Sequence, residues 1–451
     1  MDLEDFRISE MNGICGIINE HVNWIDLENS QSRSSVWRCN LKSKEIAYFI
    51  GSRSVLLKNI FQDLTRSSYS NLTDILDAIY ANQELIAEMV SRSKSYRVLV
   101  WPIGHKVESN VERIKLIETI IDTLKLYDLE ICLGDEAENT FVLIIEKDTN
   151  VTDTHHQHFR YYFGLKICDS QRHLLNIYRL SDRKFLSNTT LDPVLSFLMA
   201  NIVGVDKNML VCDPFCGSCS ILLACTEFKA FTVGIDADYK LVHCLGRSSN
   251  HKYIMKADSE HIISNFNHYK TVQNYIDTIL GDSVNACSLR KNVGWFDRIL
   301  SDPPYGVRER CRSKSKLKKI SNVYIQFLEF CANYLTLGGK CCYWIPFTTD
   351  GSKINSDFID ETKLPSSDKL NESDLSILIT DHLPSHPCLL MDDICTQRIS
   401  SRVFRSLVCL TKINEPANVF ASSVNAVATN VKAKCDQVDN FRKRYFRWKK
   451  G

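Results

Sequence analysis

Four short apolar runs in the second half of the chain each close on an aspartate: MLVCD at Asp213, FTVGID at Asp236, YIDTILGD at Asp282 and WFDRILSD at Asp302. Helical stretches separate them, and such alternation of strand and helix is the pattern of a parallel sheet with helices on both faces. In open sheets of this kind ligands bind beyond the carboxyl ends of the strands. The four carboxylates are therefore expected along one edge of a single crevice. One aspartate after a strand is more often a helix N-cap or turn residue; it is the repetition that points to a site. A fifth run, KCCYWIP from Lys340, follows a helical stretch from Val323 to Leu337 and the Gly338-Gly339 stop. The polar, acidic stretch Thr348 to Ser376 reads as a long insertion, after which ILIT, CLLM and RSLVCLTKI offer further strands.

Composition removes whole classes of answer. With 451 residues, 44% of them hydrophobic and 24% charged, the chain is globular rather than a solvated tail, and its length predicts about two to four structural units. Lys+Arg 55 against Asp+Glu 54 leaves a formal charge of +1, so no global field drives it onto a polyanion and any such site is a local patch. No run approaches the roughly 20 apolar residues of a spanning helix, and the start MDLEDF lacks the features of a signal peptide, so a cytoplasmic location is expected. Eighteen cysteines are scattered without a framework spacing and read as reduced, buried, small apolar residues. No fixed repeat is present.

Residues 1 to 150 read as a mixed α/β region. Strands are expected at Glu45 to Gly51, Tyr96 to Trp101 and Thr140 to Glu146, and helices over Asn71 to Val90 and Val111 to Leu126. The polar KDTNVTDTHHQHF that begins at Lys147 introduces a linker, taken as 151–185, ahead of a domain at 186–415 and a basic, aromatic tail at 416–451. Three histidines in that linker lack a completing ligand at metal spacing, so no metal is expected. No apolar strand precedes Phe6, which makes the first unit's completeness an open expectation.

Two constellations carry chemistry. In the first, Asp213-Pro214-Phe215-Cys216-Gly217-Ser218-Cys219-Ser220 joins a strand to the helical ILLACTEF, presenting backbone N–H groups and the positive end of a helix to a ligand. Gly217 permits close approach, Asp236 suits the two hydroxyls of a ribose, and Asp282 stands where an adenine amino group would be reached. A dinucleotide fingerprint would need three glycines where only Gly217 is present. Cys216 and Cys219 form a C-x-x-C without a matching second pair, so redox or metal use is the weaker reading.

The second constellation is Asp302-Pro303-Pro304-Tyr305-Gly306. Two prolines stiffen the loop and remove two donors. The Asp302 carboxylate and the Pro303 carbonyl then both suit an exocyclic amine, with Tyr305 offering a face for a base.

D-P-F-x-G-x-x-S followed by D-P-P-Y-G resembles the amino-methyltransferases that use S-adenosylmethionine. The longer SDPPYGVRER, with DRKFLSNTTLDPVLSFLMAN upstream and SHPCLLM downstream, is similar to the catalytic subunits of the eukaryotic tRNA (guanine-10 N2)-methyltransferases. The resemblance spans roughly Tyr162 to Lys412, and more weakly Ser95 to Glu146, which looks like an RNA-binding THUMP module placed at about 86–150. It implies a Rossmann-like class I methyltransferase domain, a doubly wound, mostly parallel sheet, preceded by a smaller α/β THUMP-containing domain. It also implies cofactor binding by Asp213, Phe215, Gly217, Asp236 and Asp282, base handling by Asp302, Pro303 and Tyr305, and two partners: tRNA and a small zinc-binding activator protein. Where this family reads G-T-G, the chain has Gly217-Ser218-Cys219, which places a Cβ and a sulfur in the cofactor turn.

Basic segments supply the link to RNA. RERCRSKSKLKK, from Arg308 to Lys319, follows the second constellation and carries Arg308, Arg310, Arg312, Lys314 and Lys316 toward phosphates, while FRKRYFRWKK near the end interleaves six basic residues with four aromatics. An adenine-N6 or ribosomal-RNA guanine methylase shares the same acceptors, and a nonenzymatic RNA-binding subunit with a degenerate methyltransferase fold is the alternative from another class.

Overall fold

The computed structural model describes residues 3–25, 34–106, 109–148, 158–187, 190–243, 261–282, 294–304, 320–348, 383–400 and 403–416. The chain divides into two compact units, one of residues 21–171 and the other of residues 1–20 with 172–451.

The unit of residues 21–171 holds a five-stranded sheet in the order Asn59–Asp63, Phe159–Asp169, Asn139–Lys147, Ser95–Ile103, Glu130–Ile131. Asn139–Lys147 and Ser95–Ile103 run parallel, and Phe159–Asp169 returns antiparallel between its two neighbours. Helices Leu72–Ala81, Gln83–Val90 and Asn110–Leu124 supply Ile75, Ile79, Ile86, Val90, Ile120 and Leu124 to a core shared with the alternate strand residues Val98, Val100, Phe141, Leu143 and Phe163. Asn71 and Ser109 cap two of these helices, accepting from the backbone N–H of Asp74 and Glu112.

Two expectations for this region are corrected. Lys44–Gly51 is a helix, not a strand: Ile46, Ala47, Ile50 and Gly51 are buried at helical spacing, and Glu45 lies in the first turn after the extended N-cap Ser43. The stretch 151–185 is not a linker, because Phe159–Asp169 is a central strand of the sheet. Further on, Leu174, Tyr178, Arg183 and Phe185 are buried, and the Tyr178 hydroxyl donates to Glu227 Oε2 at 2.5 Å within the other unit.

Among the described residues that larger unit is built on seven strands, here β1 Leu210–Asp213, β2 Phe231–Asp236, β3 Tyr275–Leu280, β4 Phe296–Ser301, β5 Leu335–Thr348, β6 Leu389–Arg398 and β7 Val403–Lys412. Their spatial order is β3-β2-β1-β4-β5-β7-β6. Every pairing from β3 to β5 is parallel, and β7 alone is antiparallel to its two neighbours. The strand order reverses between β1 and β4, the point at which open α/β sheets leave a crevice. The sheet is doubly wound and mostly parallel, as the alternation of runs predicts. ILIT and most of the 348–376 stretch lie outside the described residues.

Residues assigned by sequence to the first region also belong here. Helix Phe6–Ile17 buries Phe6, Met11, Ile14 and Cys15, and Gly13 crosses the end of helix Pro193–Ile202 so closely that a Cβ would stand 2.3 Å from the Asn201 carbonyl oxygen. Asn201 Nδ2 donates to the buried Glu10 at 2.8 Å, and Thr396 N of β6 donates to Asp5 at 2.7 Å. Among the described residues all cysteines are free, most are buried, and no cluster suits a metal. No described helix is long and apolar enough to cross a membrane.

Candidate active site

The ends of β1, β2 and β4 converge at the reversal of the sheet. β1 closes on Asp213, whose side chain turns inward: it is 1% exposed, and Oδ1 accepts from Ser301 Oγ at 2.7 Å and from Phe215 N at 3.0 Å. Desolvation pushes its carboxyl up to about 7, against those two hydrogen bonds, and the charges of Asp236 and Asp302 push the same way. Asp213 therefore ties the end of β1 to the end of β4 and shapes the turn from beneath. This departs from the expectation of four carboxylates along the open edge.

The turn itself is held by β2. Cys216 N donates to Ile235 O at 3.0 Å, and Gly217 N donates to Asp236 Oδ2 at 2.9 Å. The other oxygen of Asp236 accepts from Asp238 N at 2.8 Å. Asp236 is half-buried at the end of β2. Gly217 has φ +52°, and among the described residues a Cβ built on it would meet nothing nearer than Ser187 Oγ at 3.7 Å. The space over this glycine is thus a cradle that bare backbone leaves open. Gly281 N donates to Asp236 O at 2.9 Å, which sets the exposed Asp282 just past the end of β2. Phe215 is partly buried against the core, its ring 6.4 Å from that of Phe327, and is placed for packing.

Cys219 adopts φ +63°, the left-handed region that costs an ordinary residue about 1–2 kcal/mol. Its sulfur is fully buried, 3.4 Å from Thr278 Oγ1 on β3 and beside Cys216, so the extra bulk is accommodated toward the sheet.

β4 delivers the second constellation. Ser301 is buried, Asp302 is half-buried, Pro303 is buried and Pro304 half-buried. Tyr305, Arg308, Arg310, Arg312, Lys314 and Lys316 lie outside the described residues. The structure thus brings Asp213, Gly217, Asp236, Asp282 and Asp302 to one end of one sheet. Sequence reasoning missed Ser301, whose signal is only its place before Asp302. It gave no role to Ser187, Thr190 and Arg183 either, although all three lie in the quoted DRKFLSNTT stretch.

The residues fit S-adenosylmethionine: an open glycine cradle, an acceptor carboxylate at the end of β2 and a second beyond β3 are what its methionine end, ribose and adenine require. Residues 181–363 match the family model described as RMKL-like, methyltransferase domain. The tRNA (guanine(10)-N(2))-methyltransferase TRMT11 of Bos taurus is 27% identical over 92% of this chain and 87% of its own length. TRMT11 of Dictyostelium discoideum is 27% identical over 91% and 80% respectively. A crystal structure of TrmN from Thermus thermophilus is 14% identical, covering 87% of this chain and 98% of its own, with a TM-score of 0.39. Similarity to these curated methyltransferases runs along nearly the whole chain, through both units and across both constellations.

Proposed function

We propose that the protein transfers a methyl group from S-adenosylmethionine to the exocyclic N2 of guanosine 10 in tRNA. The observation that carries this reading is the joining of the two motifs across the sheet reversal: Ser301, the residue before Asp302, bonds to Asp213, the residue that opens the Gly217 turn. Methyl donor and methyl acceptor sites so placed share one crevice.

The cofactor, when bound, supplies a methyl group already activated by a sulfonium. The work of the chain is placement. Gly217 lets the donor approach the backbone, Asp236 accepts its ribose hydroxyls and Asp282 its adenine amine, while Asp213 and Phe215 fix the turn from below. An aromatic amine is a poor nucleophile because its lone pair is delocalised into the ring. Two acceptors, the Asp302 carboxylate and the Pro303 carbonyl, draw its two hydrogens and pull the nitrogen toward tetrahedral geometry, so that the lone pair points along the donor axis. The proton released after transfer passes to water, with Asp302 assisting as a hydrogen-bond acceptor. Tyr305 stacks on the base, worth about 1–3 kcal/mol, after the base has left its own stack. Arg308, Arg310, Arg312, Lys314 and Lys316 hold the phosphates of the same RNA.

The unit of residues 21–171, with a THUMP-like module at about 86–150, binds the tRNA body. A small zinc-binding activator protein covers apolar surface of the catalytic unit, and the complex works in the cytoplasm. Mass analysis of nucleosides from tRNA incubated with the protein, its activator and labelled cofactor tests the reading. Labelled N2-methylguanosine mapping to position 10 is expected. Label on adenine, or only in ribosomal RNA, would reassign the substrate; no label, with no cofactor binding, would make the chain a nonenzymatic subunit.

A further inference from the structure

Three strands of the larger sheet outreach the one that carries Asp302. β4 ends at Ser301, opposite Tyr343 of β5, but β5 runs on for five more residues to Thr348, paired with β7 from Val403, which in turn pairs with β6 up to Arg398. The extension stands as a wall beside the end of β4. Ile399 N and Ser400 N both donate to Val403 O, at 2.9 and 3.1 Å, and close the turn between β6 and β7. Arg405 stiffens its root: the guanidinium lies over the Trp344 ring at 4.5 Å, and Nε donates to the buried Gln397 at 2.8 Å.

On this wall Arg398 is an exposed cation held in place. It pairs across the strands with Phe404, its guanidinium carbon lies 5.6 Å from the centre of the Phe404 ring, and Nε donates to Ser400 O at 3.4 Å. Phe404 is itself buried in the core that Phe327 and Tyr343 share and that Phe215 of the cofactor turn packs against, so the ring is a fixed backing. Neither contact occupies the two terminal nitrogens of the fork, and among the described residues no carboxylate pairs with Arg398. Arg38, Arg160, Lys166 and Lys340, by contrast, are each neutralised by an aspartate at 2.7–3.0 Å. From Ile394 to Asn414 the sequence carries Arg398, Arg402, Arg405 and Lys412 and no acid, in a chain whose formal charge is only +1. A cation kept rigid, exposed and unneutralised suits a phosphate: the planar fork matches two of its oxygens, and prior ordering lowers the entropy that the contact costs.

Its place in the sheet says which phosphate. Arg398 lies level with Phe404 and Phe347, four residues beyond the Tyr343 that faces Ser301, and three strands over from β4. That is roughly 13 Å along the strands and about 14 Å across them, farther than a base lies from its own phosphate and within the span of a few nucleotides. We propose that Arg398 binds a backbone phosphate of the substrate RNA outside the target nucleotide, which makes the β5, β7 and β6 extension a fixed RNA-docking edge. This rests on the tRNA methylation reading and gives it an anchor for the RNA away from the reacting base.

Equilibrium binding of tRNA to the full-length protein over a series of salt concentrations tests this. Arg398→Gln is expected to weaken tRNA binding about fivefold near physiological salt and to flatten the slope of log K against log salt by about 0.7–0.9, the counterion release of one phosphate contact. Arg398→Lys keeps the charge and is expected to keep the slope. Lys340→Gln removes the same charge from the part of β5 that lies away from the crevice, and should leave slope and affinity at the wild-type values. An unchanged slope in Arg398→Gln would make the side chain a merely structural brace for Phe404 and overturn the proposal. An equal change in Lys340→Gln would reduce the effect to net charge and overturn it as well. Wild-type protein that binds no tRNA would instead sink the substrate reading itself, and this proposal with it.

Discussion

Asp302 stands half-buried at the end of β4 with Pro303 buried behind it, so its carboxylate is held by backbone that cannot readily swing away. In the mechanism we propose, Asp302→Ala removes one of two acceptors on the amine and is expected to lower kcat at least about a hundredfold, within the range usual for a positioned acceptor. Cofactor affinity should stay within a few-fold, so a single-turnover assay with saturating cofactor separates the two; undiminished turnover would refute the role. Asp213 makes a different prediction. Its carboxyl is raised to about 7 by burial, above the ordinary 3.8, so the folded chain keeps this proton over a range where the unfolded chain has lost it. The stability this group contributes is full below about pH 4 and is lost as pH rises toward 7, an effect of order 4 kcal/mol. Asp213→Asn keeps an oxygen for Ser301 and Phe215 and cannot ionise. Its melting temperature relative to wild type is expected to climb between about pH 4 and pH 7, and parallel curves would show that the carboxyl titrates normally. At this scale the sequence marks where strands end but not which way a side chain turns. Asp213 faces in because Ser301, on a strand 88 residues away, offers a donor there.

At the scale of elements, the strands of both sheets were readable wherever a buried run stood alone, as in FTVGID or NTFVLIIEK. Lys44–Gly51 was not, because a run this short fits strand and helix alike and its partners decide. Phe159–Asp169 was lost inside a supposed linker because a polar connection looks the same whether it joins two domains or closes a hairpin onto Asn139–Lys147. Helix packing adds a contrast inside one element. A Cβ on Gly13 would come within 2.4 Å of the carbonyl oxygens of Asn201 and Ile202, whereas one on Gly16 would meet nothing within 4 Å. Gly13→Ala must force the two helices apart and is expected to destabilise by about 1–3 kcal/mol. Gly16→Ala, with the same gain in helix propensity and no clash, should stabilise by up to about 1 kcal/mol. Chemical denaturation of both variants checks this, and equal shifts would mean that the close crossing does not exist in solution.

Over the whole molecule, the sequence reading drew a boundary near residue 150, but the chain enters the methyltransferase unit first, leaves it at residue 20 and returns at residue 172. Nothing local in FRISEMNGICGI announces this, since an apolar helix face names no partner; the assignment comes from Phe6 against Trp344, Glu10 with Asn201 and Ser9 with Cys395. The arrangement makes the first twenty residues part of the catalytic unit rather than of the unit that follows them. Their removal would expose the surfaces that Phe6, Met11, Ile14 and Cys15 now cover. At about 1.5–3 kcal/mol for each large apolar side chain, the loss is comparable with the whole stability of a typical domain, about 5–15 kcal/mol. A chain beginning at residue 21 is therefore expected to lose cooperative melting of the methyltransferase unit and its cofactor binding together. The segment 21–171 expressed alone should keep its own transition, because its sheet and helices share a core within those residues. Calorimetry of the two truncated chains decides it: a chain from residue 21 that melts and binds cofactor like the full protein would show that the catalytic unit closes without its N-terminal helix.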